Sequence, residues 1–379
     1  MENISSILEG KIISAKNYEE ILDFISFITD FPPRHFIHIQ YLYFNGEINS
    51  YLANLKSKDF QLSQLNPNVC AFNYHINKKD YKIRGAFFVQ PSTFSNLYAI
   101  YSISSSYNWS IFHQIILRRQ YPRIVLLYWK QSEQTKALKL VEETLRHNYV
   151  LRVKKLSLKE KRENEKEKVS LGAKTAKAKF DSYLEWTNKT LSQVLDEAKE
   201  RDQWFKKITF QLFKKQNEII FHIPSAICKM SKFGYFSCNN LYPIIFPVVK
   251  KELEPPLKDR ILLFKDRGLK ERNYKPSSAL TIIFEDEIFK NIDTFRYFSE
   301  IIKRYPNSTK AFFHTNPYFH ASIADFLDGS SIDLWISNYK TVLLVPQIRT
   351  SISSLERLVA YIFDNFHEGI VEQYQSENE

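Results

Sequence analysis

The sequence predicts an α+β protein of two domains with mostly antiparallel or mixed sheets, joined by a charged basic linker or helix. Three observations predict this fold class. The chain has 379 residues, whereas a single hydrophobic core rarely grows beyond about 250–300 residues. Hydrophobic residues make up 44% and charged residues 25% of the chain, which is typical of folded globular proteins. Segments with strand alternation and segments with helical spacing both recur along the chain.

The first predicted domain covers residues 1–158. Apolar side chains recur at helical spacing over residues 17–29 and predict a helix. Residues 35–44 and 47–55 predict two strands, with Asn45-Gly46 as the hairpin turn between them. Further strands are expected at 69–76, 81–89, 98–103, 122–129 and 149–158, and further helices at 110–119 and 133–147. This mixture predicts a largely antiparallel α+β domain.

The second predicted domain covers residues 181–379. Thr187 or Asn188 is expected to cap a helix that ends near Arg201. Residues 205–213 and 218–223 predict a hairpin, and Pro255-Pro256 predicts a loop. Further strands are expected at 279–284, 311–314, 319–325, 333–337 and 341–345, and further helices at 288–305 and 353–366.

Basic residues are concentrated in one part of the chain. The net charge is +11, and the stretch from Arg152 to Lys179 contains eleven basic and four acidic residues. Residues 159–180 are therefore expected to form a linker, a solvated helix or an arm between the domains. Lysines spread along such a segment neutralise phosphates and release counterions. The predicted nucleic-acid-binding residues are Lys154, Lys155, Lys159, Lys161, Arg162, Lys166, Lys168, Lys174, Lys177 and Lys179. Alternatively, the glutamates pair with the lysines in a solvated linker.

A second candidate site lies between residues 314 and 333, where histidine, aspartate and serine are frequent. The candidate catalytic residues are His314, His320, Asp325 and Asp328. If residues 319–325 form a strand, His320 and Asp325 point to opposite faces, because side chains alternate along a strand. The alternative is a hairpin in which Asp328-Gly329 forms the turn between two strands.

Common catalytic motifs are absent from the sequence. It contains no phosphate-binding glycine loop, no nucleophile elbow and no paired-cysteine motif, and only 8 residues are glycine. This argues against common NTPases, dinucleotide enzymes and hydrolases. We predict no cofactor and no metal, and a protein that is not an enzyme is favoured. If it is an enzyme, a hydrolase or nuclease is expected.

The expected setting is cytoplasmic. Cys70, Cys228 and Cys238 are too few for a disulfide framework, and no run of 18 apolar residues occurs, so no membrane partner is expected. The leading hypothesis is a non-motor protein that binds nucleic acid or another polyanion and acts with a protein partner, for example in a phage-defence (antiviral) or mobile-element system. The alternatives are a divergent hydrolase or nuclease and a structural subunit of a multiprotein assembly.

Overall fold

The protein contains two antiparallel sheets, in two compact units. A computed structural model describes residues 4–27, 34–78, 81–92, 96–160, 183–201, 203–217, 219–265, 279–314, 318–347 and 350–374. Among these residues, the first unit contains residues 4–160 and 183–255, and the second contains residues 256–374. The predicted α+β class with sheet domains is confirmed.

The first unit is built on a sheet of eleven strands within the described ranges. These are β1 His35–Phe44, β2 Phe60–Asn66, β3 Ala71–Lys78, β4 Tyr81–Pro91, β5 Leu97–Ser105, β6 Ile124–Leu126, β7 Tyr149–Glu160, β8 Tyr183–Lys189, β9 Gln203–Gln216, β10 Ile219–Ser231 and β11 Tyr235–Cys238. Their order is β2-β3-β4-β5-β1-β11-β10-β9-β7-β8, and β6 pairs with β1. β1 is central and buried on both faces, which explains its almost continuous apolar sequence.

Helices accompany this sheet. They are α1 Ile4–Ser14, α2 Tyr18–Phe27, α3 Ile48–Ala53, α4 Ser106–Phe112, α5 Gln131–Leu145, α6 Leu191–Glu200 and α7 Tyr242–Lys265. The part of α7 from Pro256 onwards belongs to the second unit. Helix α4 runs directly into a π-helical turn, His113–Leu117. Thr190 caps α6 by accepting a hydrogen bond from the Gln193 amide, so the cap lies a few residues after the predicted one.

Two local predictions in this part of the chain are wrong. The expected strand over residues 47–55 is helix α3, because Ile48 and Leu52 lie one turn apart and are both buried. The expected loop at Pro255-Pro256 lies inside α7. Burial of Leu253 and Leu257 on either side of the prolines outweighs their poor local preference for a helix.

The second unit contains a smaller sheet and two further α-helices among its described residues. Its strands are β12 Leu280–Phe284, β13 Ser308–His314, β14 His320–Asp325, β15 Ser331–Asn338, β16 Thr341–Pro346 and β17 Gly369–Gln373, and its helices are α8 Ile292–Lys303 and α9 Ile352–Asn365. The sheet order is β13-β14-β15-β16-β12-β17. Buried and half-buried residues alternate along β14 and β16, so one face of this sheet forms the core. Phe298 of α8 contacts Phe319 and Phe366 there.

The division of the chain differs from the expected one. Residues 183–255, expected in the second domain, belong to the first unit, because β9 pairs with β7 and β11 pairs with β1. Strands β7 and β8, which pair with each other, lie on either side of residues 161–182, which are outside the described residues. Across the described helices, none is long and apolar enough to span a lipid bilayer.

Candidate nucleic-acid interface

Three lysines lie on one face of the first sheet, on three neighbouring strands. Lys155 of β7 and Lys229 of β10 are both opposite Thr209 of β9. Lys207 precedes Thr209 by two residues and therefore shares its face. These three residues, Lys155, Lys207 and Lys229, are the lysine triad. Pairing of β9 with β7 and β10 brings them together.

Two members of the lysine triad, Lys207 and Lys229, are less stable as cations in the folded protein, because of burial and of neighbouring lysine charges. Neighbouring strands are about 4.8 Å apart, so the Cα atoms of Lys155 and Lys229 are separated by about 10 Å. Burial of the Lys229 ammonium, followed by the positive charges of Lys207 and Lys155, lowers its pKa to about 8. Burial and the charge of Lys155 also lower the pKa of Lys207. No carboxylate in the described part of the chain opposes these two shifts, so an anion bound there would relieve the repulsion.

Lys229 is held in place by its surroundings. Its Nζ donates a hydrogen bond to Ser106 Oγ at 2.5 Å and lies 4.1 Å from the centre of the Phe36 ring, close enough for a cation–π contact. A lysine ammonium has three N–H donors. The two that do not contact Ser106 can donate to an anion.

A buried polar chain supports the sheet beside the lysine triad. The Nε2 of His38 is 3.0 Å from the carbonyl oxygen of Ser104, which can only accept, so Nε2 carries the proton. The Nδ1 atom therefore accepts from the hydroxyl of Tyr235 at 2.8 Å. The ring of Trp109 stacks on the imidazole at 4.8 Å. Burial lowers the pKa of His38 to about 3, so this histidine is neutral and structural.

His113 lies in the π-helical turn, a feature that is frequent at functional sites. Burial, followed by the positive charges of Arg118 and Lys207, lowers the pKa of His113 to about 4. The positive field of Lys207 therefore reaches this turn. Because His113 is neutral near pH 7, Arg118 and the lysine triad supply the positive charge in this region.

The structure places only part of the predicted basic segment. Lys155 belongs to the lysine triad, and Lys154 lies beside it at a β-bulge, where the register shifts between Val153 and Lys155. The backbone of Lys159 lies in β7. Seven predicted residues lie outside the described residues: Lys161, Arg162, Lys166, Lys168, Lys174, Lys177 and Lys179.

Sequence reasoning missed Lys207 and Lys229. Each lies in a strand beside apolar residues, far from the basic segment, and neither belongs to a long charged run. The alternation of Lys229 with the buried Cys228 and Met230 was the available signal, because it places the lysine on the face away from that core. Which lysines it would meet there depends on strand pairing.

The aspartates and the histidines of the second candidate site contact different partners. Arg357 of α9 donates from Nη2 to Asp325 Oδ2 at 2.5 Å and to Asp328 Oδ2 at 3.1 Å. Ser351 Oγ also donates to Asp328, at 2.6 Å. Burial raises the pKa of Asp328, but hydrogen bonds from Ser351 and Ser330 and the charge of Arg357 hold it below its ordinary value. These carboxylates join the turn after β14 to α9, and Asp328-Gly329 lies in that turn as the hairpin alternative predicts.

The two histidines of this candidate are separated from the aspartates. Asp325 is buried on the core face of β14, whereas His320 lies on the other face, as alternation predicts. His320 stacks on Trp335 at 3.5 Å and on Phe313 at 4.6 Å between ring centres. His314 is opposite His320 on β13 and is exposed. Within the described ranges, no three His, Cys, Asp or Glu side chains converge as a metal site requires.

Comparison with known proteins adds no assignment. No protein-family model matches this chain, and no curated protein matches its sequence.

Proposed function

We propose that the protein binds nucleic acid, or another polyanion, through the lysine triad together with the basic segment of residues 159–180. The observation that carries this proposal is the placement of Lys155, Lys207 and Lys229 on three adjacent strands, where their charges repel one another. A phosphate backbone placed against this face replaces repulsion with attraction and releases condensed counterions.

The lysine triad and the basic segment are adjacent along the chain. Strand β7 carries Lys155 and ends at Glu160, where the run of basic residues continues. A single polyanion can therefore contact both. Contacts of this kind are made to phosphates and carry no sequence information, so we expect binding with little sequence preference and a strong dependence on salt. A protein partner and an antiviral role stay predictions of the sequence alone.

The test is binding of the full chain to fluorescein-labelled single- and double-stranded DNA and RNA, measured by anisotropy at 50 mM and 200 mM salt. Each lost phosphate contact should reduce the slope of log affinity against log salt by about 0.9 for duplex DNA. The variant Lys207→Gln/Lys229→Gln should therefore reduce it by about 2. Heparin serves as a competitor. If the protein binds any polyanion, heparin displaces the nucleic acid when added at equal charge. If the protein prefers nucleic acid, heparin at equal charge does not displace it.

The matched control is Lys136→Gln/Lys139→Gln, which removes the same charge from two exposed positions on α5. We expect this control to change the salt slope less than the triad variant does. Absent binding, binding that does not respond to salt, or an equal effect of the two variants would contradict the proposal.

A further inference from the structure

The β9–β10 hairpin extends beyond its neighbouring strands. The pairing of β9 with β7 ends at Lys214, and the pairing of β10 with β11 ends at Cys228. Just beyond those rows, Lys215 still bonds to Asn148, and Ile227 to Asn239. Past these bonds the described ladder contains β9 and β10 alone. Residues 215–217 and 219–223 are the ribbon tip. A two-stranded ribbon is narrow enough to enter a groove of duplex DNA.

The ribbon tip exposes apolar side chains to solvent. Ile219, Phe221 and Ile223 are 68%, 45% and 81% exposed, respectively. The register moves from Ile220 opposite Lys215 to Pro224 opposite Phe213, so three residues of β10 face one residue of β9. This bulge carries Phe221 and Ile223, and β-bulges re-aim side chains at functional positions. Exposing several apolar groups together is unfavourable in water and marks an interaction site.

The same hairpin is basic. Between Gln203 and Ser231 the sequence has five lysines and one glutamate, a net charge of +4. Lys214 is exposed next to the ribbon tip. Lys207, in the lysine triad, lies eight residues before Lys215, or roughly 26 Å along the strand at about 3.3 Å per residue. Positive charge therefore extends from the apolar tip to the triad.

We propose that the ribbon tip enters the minor groove of duplex DNA, wedges Phe221 and Ile223 against a base step, and bends the duplex. This inference rests on the proposed function. Minor-groove proteins use apolar wedges to unstack a base step, and the resulting bend brings more phosphates onto the protein. One helical turn of DNA spans about 34 Å, which is longer than the roughly 26 Å between Lys207 and Lys215. The bent duplex can therefore contact the lysines of the hairpin along this whole length.

The spacing of charge favours a duplex over a lipid surface. An interfacial segment buries its apolar face about 5–10 Å into a bilayer boundary, and a charged surface attracts lysines within about 10 Å at 0.1 M salt. With the ribbon tip inserted, Lys214 and Lys215 would lie within that range. Lys207 would lie roughly 26 Å along the strand from Lys215, outside it. Phosphates of a bent duplex extend over the whole distance.

The test is energy transfer between dyes at the two ends of a short DNA duplex, with the full chain added. Wild-type protein should increase the transfer. The variant Phe221→Ser/Ile223→Ser should abolish the increase and weaken binding by roughly tenfold or more, the scale of one lost stacking contact. It should also lower the salt slope, because a duplex that is not bent makes fewer phosphate contacts with the hairpin lysines. Lys207→Gln/Lys229→Gln should lower the salt slope and keep the bend at saturating protein.

The matched control is Phe326→Ser/Ile13→Ser, which replaces the same residue types at exposed positions outside the hairpin, and should leave the bend intact. Binding of wild type without bending, or bending by the tip variant, overturns this inference and leaves the proposed function standing. If no polyanion binds, both fail. Tip-dependent binding to phosphatidylserine vesicles without duplex bending would assign the tip to a membrane surface and overturn the inference.

Discussion

At the residue scale, strand pairing decides what a lysine does. Lys229 lies between two buried residues of β10, on the face away from that core, and its backbone is opposite Thr209 of β9. Its ammonium contacts Ser106 and Phe36, and these two contacts fix the position of the side chain. A lysine with the same sequence neighbours on an edge strand would be an ordinary solvated charge.

His38 predicts how the stability of the first unit depends on pH. Its pKa is about 3 in the folded protein and about 6.5 in an unfolded chain. The unfolded state therefore takes up the proton first as the pH falls. The stabilisation is complete above pH 6.5 and is lost towards pH 3, by about 1.4 kcal/mol per pH unit. Urea unfolding should show a loss of about 2 kcal/mol between pH 7 and pH 5 from this group.

His113 provides the comparison for that measurement. Its pKa of about 4 in the folded protein adds a second loss in the same direction over the same pH range. The variant His113→Gln should therefore lose less stability on acidification than the wild-type protein. A free energy of unfolding that stays constant between pH 7 and pH 5 would contradict the assignment of two buried neutral histidines.

At the scale of elements, burial overrides local preference in two helices. A turn signal precedes α3, and α7 contains Pro255-Pro256, yet both segments are helical. In each case apolar residues about one turn apart are buried, Ile48 with Leu52 and Leu253 with Leu257. Local turn residues predict where a chain is able to turn, and packing determines where it does.

The contact between α7 and α9 in the second unit leads to a second prediction. Arg260 donates from Nε and Nη2 to the two carboxylate oxygens of Glu356, at 2.7 and 2.8 Å, and both side chains are buried. Breaking a buried ion pair by removing one partner costs about 3–5 kcal/mol. Arg260→Met should lower the free energy of unfolding of the second unit by that amount in urea denaturation.

The double variant Arg260→Met/Glu356→Met tests the cause of that loss. Replacing both charges with apolar side chains of similar length removes the desolvation cost of the pair, so we expect most of the stability to return. If the double variant is as unstable as the single variant, packing of these side chains and not their charge stabilises the contact.

At the scale of the whole molecule, the net charge of +11 has two parts that matter for the proposed function. One is the run of basic residues after β7, visible in the sequence. The other is the lysine triad, whose members come from β7, β9 and β10. Both contribute to the predicted salt dependence, and separate substitutions can distinguish them.

The variant Lys174→Gln/Lys177→Gln/Lys179→Gln tests the contribution of the basic segment. If these lysines contact phosphates of duplex DNA, the salt slope should fall by up to about 2.7, since each contact contributes about 0.9. Anisotropy titrations at several salt concentrations measure this change, and residual binding is expected from the lysine triad. An unchanged slope would mean that Lys174, Lys177 and Lys179 make no phosphate contact.

The candidate site could be predicted only in part. The dense run of basic residues predicts Lys155, whereas Lys207 and Lys229 have no such signal nearby. The separation of His320 from Asp325 followed from strand alternation, which is a local property. The hydrogen bonds from Arg357 to Asp325 and Asp328 could not be predicted in this way. Strands β15 and β16 separate α9 from these aspartates along the chain.

The amino-acid sequence by itself determined the α+β class, the position of most strands and the concentration of charge after β7. These properties depend on neighbours along the chain, and alternation or helical spacing records them directly. Only the tertiary structure decided that residues 183–255 complete the first sheet and that Lys155, Lys207 and Lys229 share one face. Strand pairing joins residues distant in sequence, and its register is set by burial across the whole sheet.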